Sequence, residues 1–161
     1  ETYFHNGIKL ITHPYSRDIP HIKTLNYLMG IHLLPKLEAA GALEPLYHSG
    51  EFITETTRSN IFFVMQDQTI ATPAEGILQG ITRKQVIQLA RKKFDVAIRD
   101  FRLDELCHIQ EAFITGTNKK VMPVIGINKL MIGEGRPGPV TRILQADFED
   151  HIQQYITQVQ A

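Results

Sequence analysis

Residues 80–101, GITRKQVIQLARKKFDVAIRDF, change periodicity part-way along. From Thr82 to Phe94 the apolar positions Val86, Leu89, Ala90 and Phe94 fall on one face at helical spacing. Val96 to Phe101 then reads as a strand. A helix feeding a strand with no linker between them points to a mixed α/β fold. Upstream, Gly7 to Thr12, Leu46-Tyr47, Glu51 to Thr54, Ile61 to Met65 and Thr69 to Ala71 read as further strands, with Asp67-Gln68 as a hairpin turn. Lys23 to Ala40 is helix-like, weakened at Gly30 and Pro35 and stopped at Gly41. Downstream come a helical turn over Leu103 to His108, strands over Glu111 to Thr115 and Val121 to Ile132 (broken at Asn128-Lys129), and a last helix from about Pro139. That helix carries an apolar stripe ending in Ile152, Tyr155, Ile156 and Val159. One mixed α/β domain over residues 1–161 is expected.

Composition removes several classes of function. Seventeen basic side chains balance seventeen acidic ones, which gives no electrostatic basis for a nucleic-acid or membrane-surface partner. The single cysteine, Cys107, leaves no disulfide framework or Cys-rich zinc site, fits a reducing cytoplasmic setting, and is expected in the core. The histidines show no ligand spacing, so no metal site is expected. No apolar run approaches the roughly 20 residues that span a bilayer. The first residues carry neither an initiator Met nor a signal pattern, so the chain is expected to be a fragment of a longer protein.

Gly133-Glu134-Gly135-Arg136-Pro137-Gly138 satisfies G-x-G-x-x-G and proposes a dinucleotide site. Only one helix follows it, so no second strand is available to hold a ribose, and a turn into that helix is the expected role. Gly80-Ile81-Thr82 precedes a helix whose first N–H groups lack partners and attract a phosphate dianion; an ordinary cap is the alternative. Thr115-Gly116-Thr117-Asn118 follows an apolar strand and is either a second anion-binding loop or a simple turn. Lys23 lies between apolar neighbours at the start of a helix, where partial desolvation favours the neutral, nucleophilic amine. Glu55 leads polar residues into an apolar strand, and a buried carboxylate there requires a cationic partner.

Together IKTLNY (22–27), E-x-x-x-S-N-I-F (55–62), L-x-G-I-T-R (78–83), F-I-T-G-T (113–117) and G-E-G-R-x-G-P-V-T (133–141) resemble the fold type IV pyridoxal-phosphate enzymes. These include branched-chain and D-amino-acid aminotransferases and aminodeoxychorismate lyase. The resemblance implies the family's larger, C-terminal cofactor-binding domain, a strand pseudo-barrel flanked by helices, and pyridoxal 5'-phosphate as cofactor. It implies that Lys23 forms the internal aldimine and serves as the catalytic base, that Glu55 pairs with the pyridine nitrogen, and that Leu78 packs on the ring. Ile81, Thr82 and Thr117 would hold the phosphate, and Gly80 and Gly116 would also bind the cofactor. The reaction implied is transamination of a branched-chain L- or D-amino acid with a 2-oxo acid, in a homodimer. The family's smaller N-terminal domain is expected to lie outside this chain, which makes activity of these residues alone doubtful.

Arg58 stands where relatives often carry a small residue, and reads either as a clamp for a substrate carboxylate or as a structural partner of Glu55 or a surface acid. Asn118 is placed where its loop meets substrate, Arg17 is set to reach the cofactor's ring hydroxyl, and Lys119-Lys120 has no assigned role. The alternatives are a lyase of the aminodeoxychorismate type, a non-catalytic domain retaining the fold, and, more distantly, a nicotinamide dehydrogenase.

Overall fold

β4 (Asn60–Met65) is buried on both faces: Ile61 and Phe63 point to one side, Phe62 and Val64 to the other, and none is more than 1% exposed. Such a strand needs a packed layer on each side, and the fold supplies two. The computed structural model describes the backbone of residues 2–160 and the side chains of residues 2–158, so Val159 of the expected stripe lies outside the described side chains.

The remaining strands are β1 (Ile8–Pro14), β2 (Glu44–Ser49), β3 (Phe52–Thr56), β5 (Ile70–Thr72), β6 (Val96–Ile98), β7 (Phe101–Arg102), β8 (Ile109–Gly116), β9 (Lys120–Ile127) and β10 (Leu130–Met131). β4 pairs with β8, β8 with β9, β9 with β1, β1 with β2 and β2 with β3, and β3 returns to β4 through Glu55 and Asn60. β1 runs parallel to both β2 and β9, and the other pairings in the ring are antiparallel. The ring closes, leaving β5 and β6 extending beyond β4, β7 beside β3 and β10 beside β9. Leu10, Leu46, Ile53, Ile61, Phe63, Ile114 and Val124, drawn from the ring strands, form the first apolar cluster.

Outside the ring, Phe62 and Val64 meet α4 (Ile81–Ala90) and α5 (Pro139–Gln160) through Val86, Ile87, Ala90, Val140, Leu144 and Phe148. Phe62 and Phe113, opposite each other in the β4–β8 register, stack at 4.8 Å. A third cluster seats α2 (Leu28–His32) and α3 (Leu34–Ala40) on β1 and β2 through Leu33, Leu37, Ile11 and Tyr47.

Three expectations are corrected. The segment from Lys23 to Ala40 is not one helix: residues 23–27 are irregular, and Pro35 lies in the first turn of α3, where its missing N–H costs nothing. Val96 to Phe101 divides into β6 and β7, which pair with different neighbours, β5 and β3. Cys107 is exposed; in the 3-10 helix Leu103–His108 the repeat of three turns Leu106 inward and leaves Cys107 outside. A short helix, α1 (Thr2–Asn6), has no counterpart in the sequence reading.

The glycine motif at 133–138 is the turn expected of it. Glu111 on β8 is buried and accepts hydrogen bonds from the Val140 and Thr141 N–H groups, at 3.0 and 2.7 Å, capping α5. A Cβ on Gly138 would overlap that carboxylate, so the close approach requires glycine.

Candidate functional site

Glu55, the penultimate residue of β3, is 5% exposed and therefore needs its charge compensated. Its Oε1 accepts a hydrogen bond from Arg17 Nε at 2.8 Å, and its Oε2 accepts one from the Leu78 N–H at 2.9 Å. Burial pushes the carboxyl above its ordinary range, opposed by the Leu78 N–H, by Arg17 and, more weakly, by the charge of Lys23. Arg17 also donates to the Pro20 and Ile22 carbonyls and so anchors the segment leading to Lys23. Arg17 therefore serves Glu55 from within the same cavity lining.

Lys23 itself is exposed, and the partial desolvation read from its apolar neighbours is not found: Ile22 is 49% and Leu25 90% exposed, so neither forms a wall over it.

The phosphate-type features are built from backbone. Gly80 is the extended N-cap of α4, with no side chain capping the first N–H groups. A Cβ on Gly80 would collide with the Asn60 amide oxygen, while Asn60 Nδ2 donates to the Leu78 carbonyl at 2.7 Å, locking this loop to β4. Arg83, buried on α4, donates to Thr72 Oγ1, the Pro73 carbonyl and Gln79 Oε1, holding both ends of the loop. Across from it, Thr115 is 1% exposed and its hydroxyl has no hydrogen-bond partner among the described residues. A Cβ on Gly116 would lie 3.3 Å from the Arg58 carbonyl oxygen, so the 115–117 loop packs against the turn that carries Arg58.

These elements converge on one cavity of about 310 Å³. Lys23, Glu55, Arg58, Leu78, Gly80, Ile81, Thr82, Gly116 and Thr117 all line it, joined by Arg17, Tyr27, Ser59 and Thr115. Asn118 is exposed and is not part of the lining. Arg58 is exposed, with its guanidinium 5.7 Å from the centre of the Tyr27 ring. Among the described residues it pairs with no acid, and Glu55 is already taken by Arg17. Sequence reasoning gave no role to Tyr27, Ser59 and Arg83, and took Thr115 only as the opening residue of its loop. The L-x-G-I-T-R motif contained Arg83, but its partners at Thr72 and Pro73 lie before the motif and gave no local signal.

The amino-transferase class IV family matches residues 6–127, which carry every one of these lining residues. The chain belongs to the class IV aminotransferases. This class IV aminotransferase domain is 34% identical over 150 residues to the D-alanine aminotransferase of Bacillus licheniformis, covering 91% of this chain and 53% of that protein. It is 36% identical over 156 residues to a putative branched-chain-amino-acid aminotransferase of Methanocaldococcus jannaschii, covering 90% and 53%. In three dimensions it matches the T.th. branched-chain amino acid aminotransferase complexed with N-(5'-phosphopyridoxyl)-L-glutamate, with a TM-score of 0.80, 30% identity, and coverage of 91% and 52%. The chain thus spans about half the length of the curated relatives it matches. The fold expected from the motifs, a strand pseudo-barrel flanked by helices, is the fold observed.

Proposed function

We propose that this domain binds pyridoxal 5'-phosphate and supports transamination between an amino acid and a 2-oxo acid, with Lys23 as the covalent anchor and base. The observation that carries this reading is the sharing of one cavity by an exposed primary amine, a buried carboxylate and two anion-receptive loops. The residues fit the group: the Thr115 hydroxyl is buried without a partner among the described residues, and the N-cap of α4 offers uncapped N–H groups to a phosphate. The T.th. relative, solved with phosphopyridoxyl-glutamate and with pyridoxamine 5'-phosphate, supports the same assignment.

When bound, the cofactor supplies an aldehyde that condenses with amines and a ring that accepts electrons from the substrate Cα. Glu55, kept ionised by Arg17 and the Leu78 N–H, holds a proton on the ring nitrogen. Leu78 contributes an apolar contact beside Glu55. Ile81, Thr82, Thr115, Gly116 and Thr117 take the phosphate through N–H and hydroxyl donors. Lys23 would act as the base that takes the proton from the substrate Cα and as the acid that gives it back during the transfer.

Arg58, with no acid competing for it among the described residues, takes the substrate carboxylate. An amino acid, D- or branched-chain L-, is accordingly the substrate class, as the names of the relatives also have it. Leu25, Leu28, Ile31 and Leu34, between 57% and 90% exposed, form an apolar face beside the cavity, and a homodimer is the assembly we propose for the complete protein. No helix among the described residues is long and apolar enough to cross a membrane, and a cytoplasmic enzyme is our reading. The test is 2-oxo acid formation by the complete protein from D-alanine and from L-leucine, with Lys23→Ala as control. Activity on either that vanishes in Lys23→Ala is expected, and undiminished activity of that variant overturns the reading.

A further inference from the structure

Glu44 opens β2 and is only 6% exposed. One of its carboxylate oxygens accepts a hydrogen bond from the Thr56 hydroxyl, and the other forms an ion pair with Lys119. Lys119 projects from the loop after β8, is itself largely buried, and also donates to Ser59 Oγ at 3.3 Å. This cluster grips the base of the hairpin between β3 and β4. The Thr56 N–H donates to the Ser59 carbonyl at 2.9 Å and the Ser59 N–H to the Thr56 hydroxyl at 3.0 Å, leaving Thr57 and Arg58 as a two-residue tip. Neither tip residue has a positive φ, so the loop lacks the turn types that suit hairpin twist, and the side-chain bonds at its base hold it instead.

A second cavity, of about 280 Å³, lies next to the first and shares Tyr27, Thr57 and Arg58 with it. Glu44 lines this second cavity. Arg58 therefore stands in the wall between a cavity suited to a substrate carboxylate and one that already contains a buried carboxylate. A buried carboxylate without a cation is strongly disfavoured, so Glu44 captures whatever cation can reach it.

We propose that Lys119 is a positioning residue whose ion pair with Glu44 keeps Arg58 free for the substrate carboxylate. With Lys119 in place Glu44 is neutralised from behind, and Arg58 rests over Tyr27 in the wall shared by the two cavities. Without it, Arg58 turns to Glu44 and the substrate loses its anchor. The inference rests on the reading of Arg58 given under the proposed function.

Three variants of the complete protein test it. Lys119→Met raises KM for the amino acid by about tenfold, with the visible cofactor band retained. Adding Glu44→Gln to Lys119→Met removes the competing carboxylate and brings KM back to within about twofold of the parent, an outcome that a merely structural role for Lys119 does not give. A crystal structure of Lys119→Met shows Arg58 paired with Glu44. An unchanged KM in Lys119→Met, or a double variant as impaired as the single one, overturns the proposal. If Lys119→Met fails to fold, the charge-free double variant and Lys119→Arg carry the test: both keep parental KM, and a tenfold rise in either overturns it. The crystal structure reads Arg58 directly, so absence of transamination with Arg58 still moved to Glu44 would fault the proposed function and leave this switch standing.

Discussion

Arg17 Nε lies 2.8 Å from Glu55 Oε1 across 38 residues of sequence, and this pair joins the floor of the cavity to the segment that bears Lys23. Arg17 is 16% exposed at its side chain and Glu55 6%, so the pair is shielded and each charge depends on the other. Arg17 and the Leu78 N–H together offset part of the cost of burying the Glu55 carboxylate.

Because burial raises the Glu55 carboxyl above its ordinary 4.5, the folded protein keeps that proton to higher pH than the unfolded chain does. Between 4.5 and the raised value the folded state binds more protons, so stability falls as pH rises through that window and stays lower above it. Thermal melts of cofactor-free protein should show this slope, and Glu55→Gln should flatten it.

Arg58→Ala should raise KM for amino acids by about tenfold while the cofactor band remains, because the role proposed for the guanidinium is to grip substrate and not the phosphate. Arg58→Lys should not restore the parental value, since a point charge lacks the planar fork. Steady-state kinetics on both variants provide the check.

Thr115→Val should separate stability from binding. The hydroxyl, without a partner among the described residues, is buried at a cost, so its removal should stabilise the cofactor-free protein by about 1 kcal/mol. The same change should weaken pyridoxal phosphate binding several-fold, measured by titration of the visible band.

Burial pushes the Lys119 ammonium down to about 8. The paired Glu44 carboxylate opposes that fall, so the ammonium, and with it the partner of Glu44, is given up only as pH rises beyond that value. The charged groups around it are Glu44 from β2 and, across the second cavity, Arg58 from the hairpin. KM for the amino acid should therefore climb above pH 8 in the parent protein and stay level in Glu44→Gln.

Much of this site was legible in the sequence because its residues belong to short motifs with a local rationale. Gly80-Ile81-Thr82 announces a helix start, and Glu55 announces a buried charge at a strand end. The identity of Glu55's partner was not legible, because Arg17 reaches it only once β1 and β3 are brought together in the ring. Lys119 had no local rationale for the same reason: Glu44 and Ser59 become its neighbours only through the pairings of β2, β3, β4 and β8. The continuous helix read over Lys23 to Ala40 failed because Pro35 opens a helix as readily as it breaks one, and periodicity does not distinguish the two. The loss of that helix is what leaves Lys23 on an irregular, exposed segment at the cavity. Asn118 was placed by adjacency to Thr117, but the loop turns it outward.

The central claim is that Lys23 is the amine facing Glu55 across a site for pyridoxal phosphate. Borohydride reduction of the complete protein with that cofactor, followed by peptide mass mapping, tests it most directly. A phosphopyridoxyl mass is expected on the peptide containing Lys23 and on no other lysine peptide. Label on a different lysine, or none at all, would contradict it.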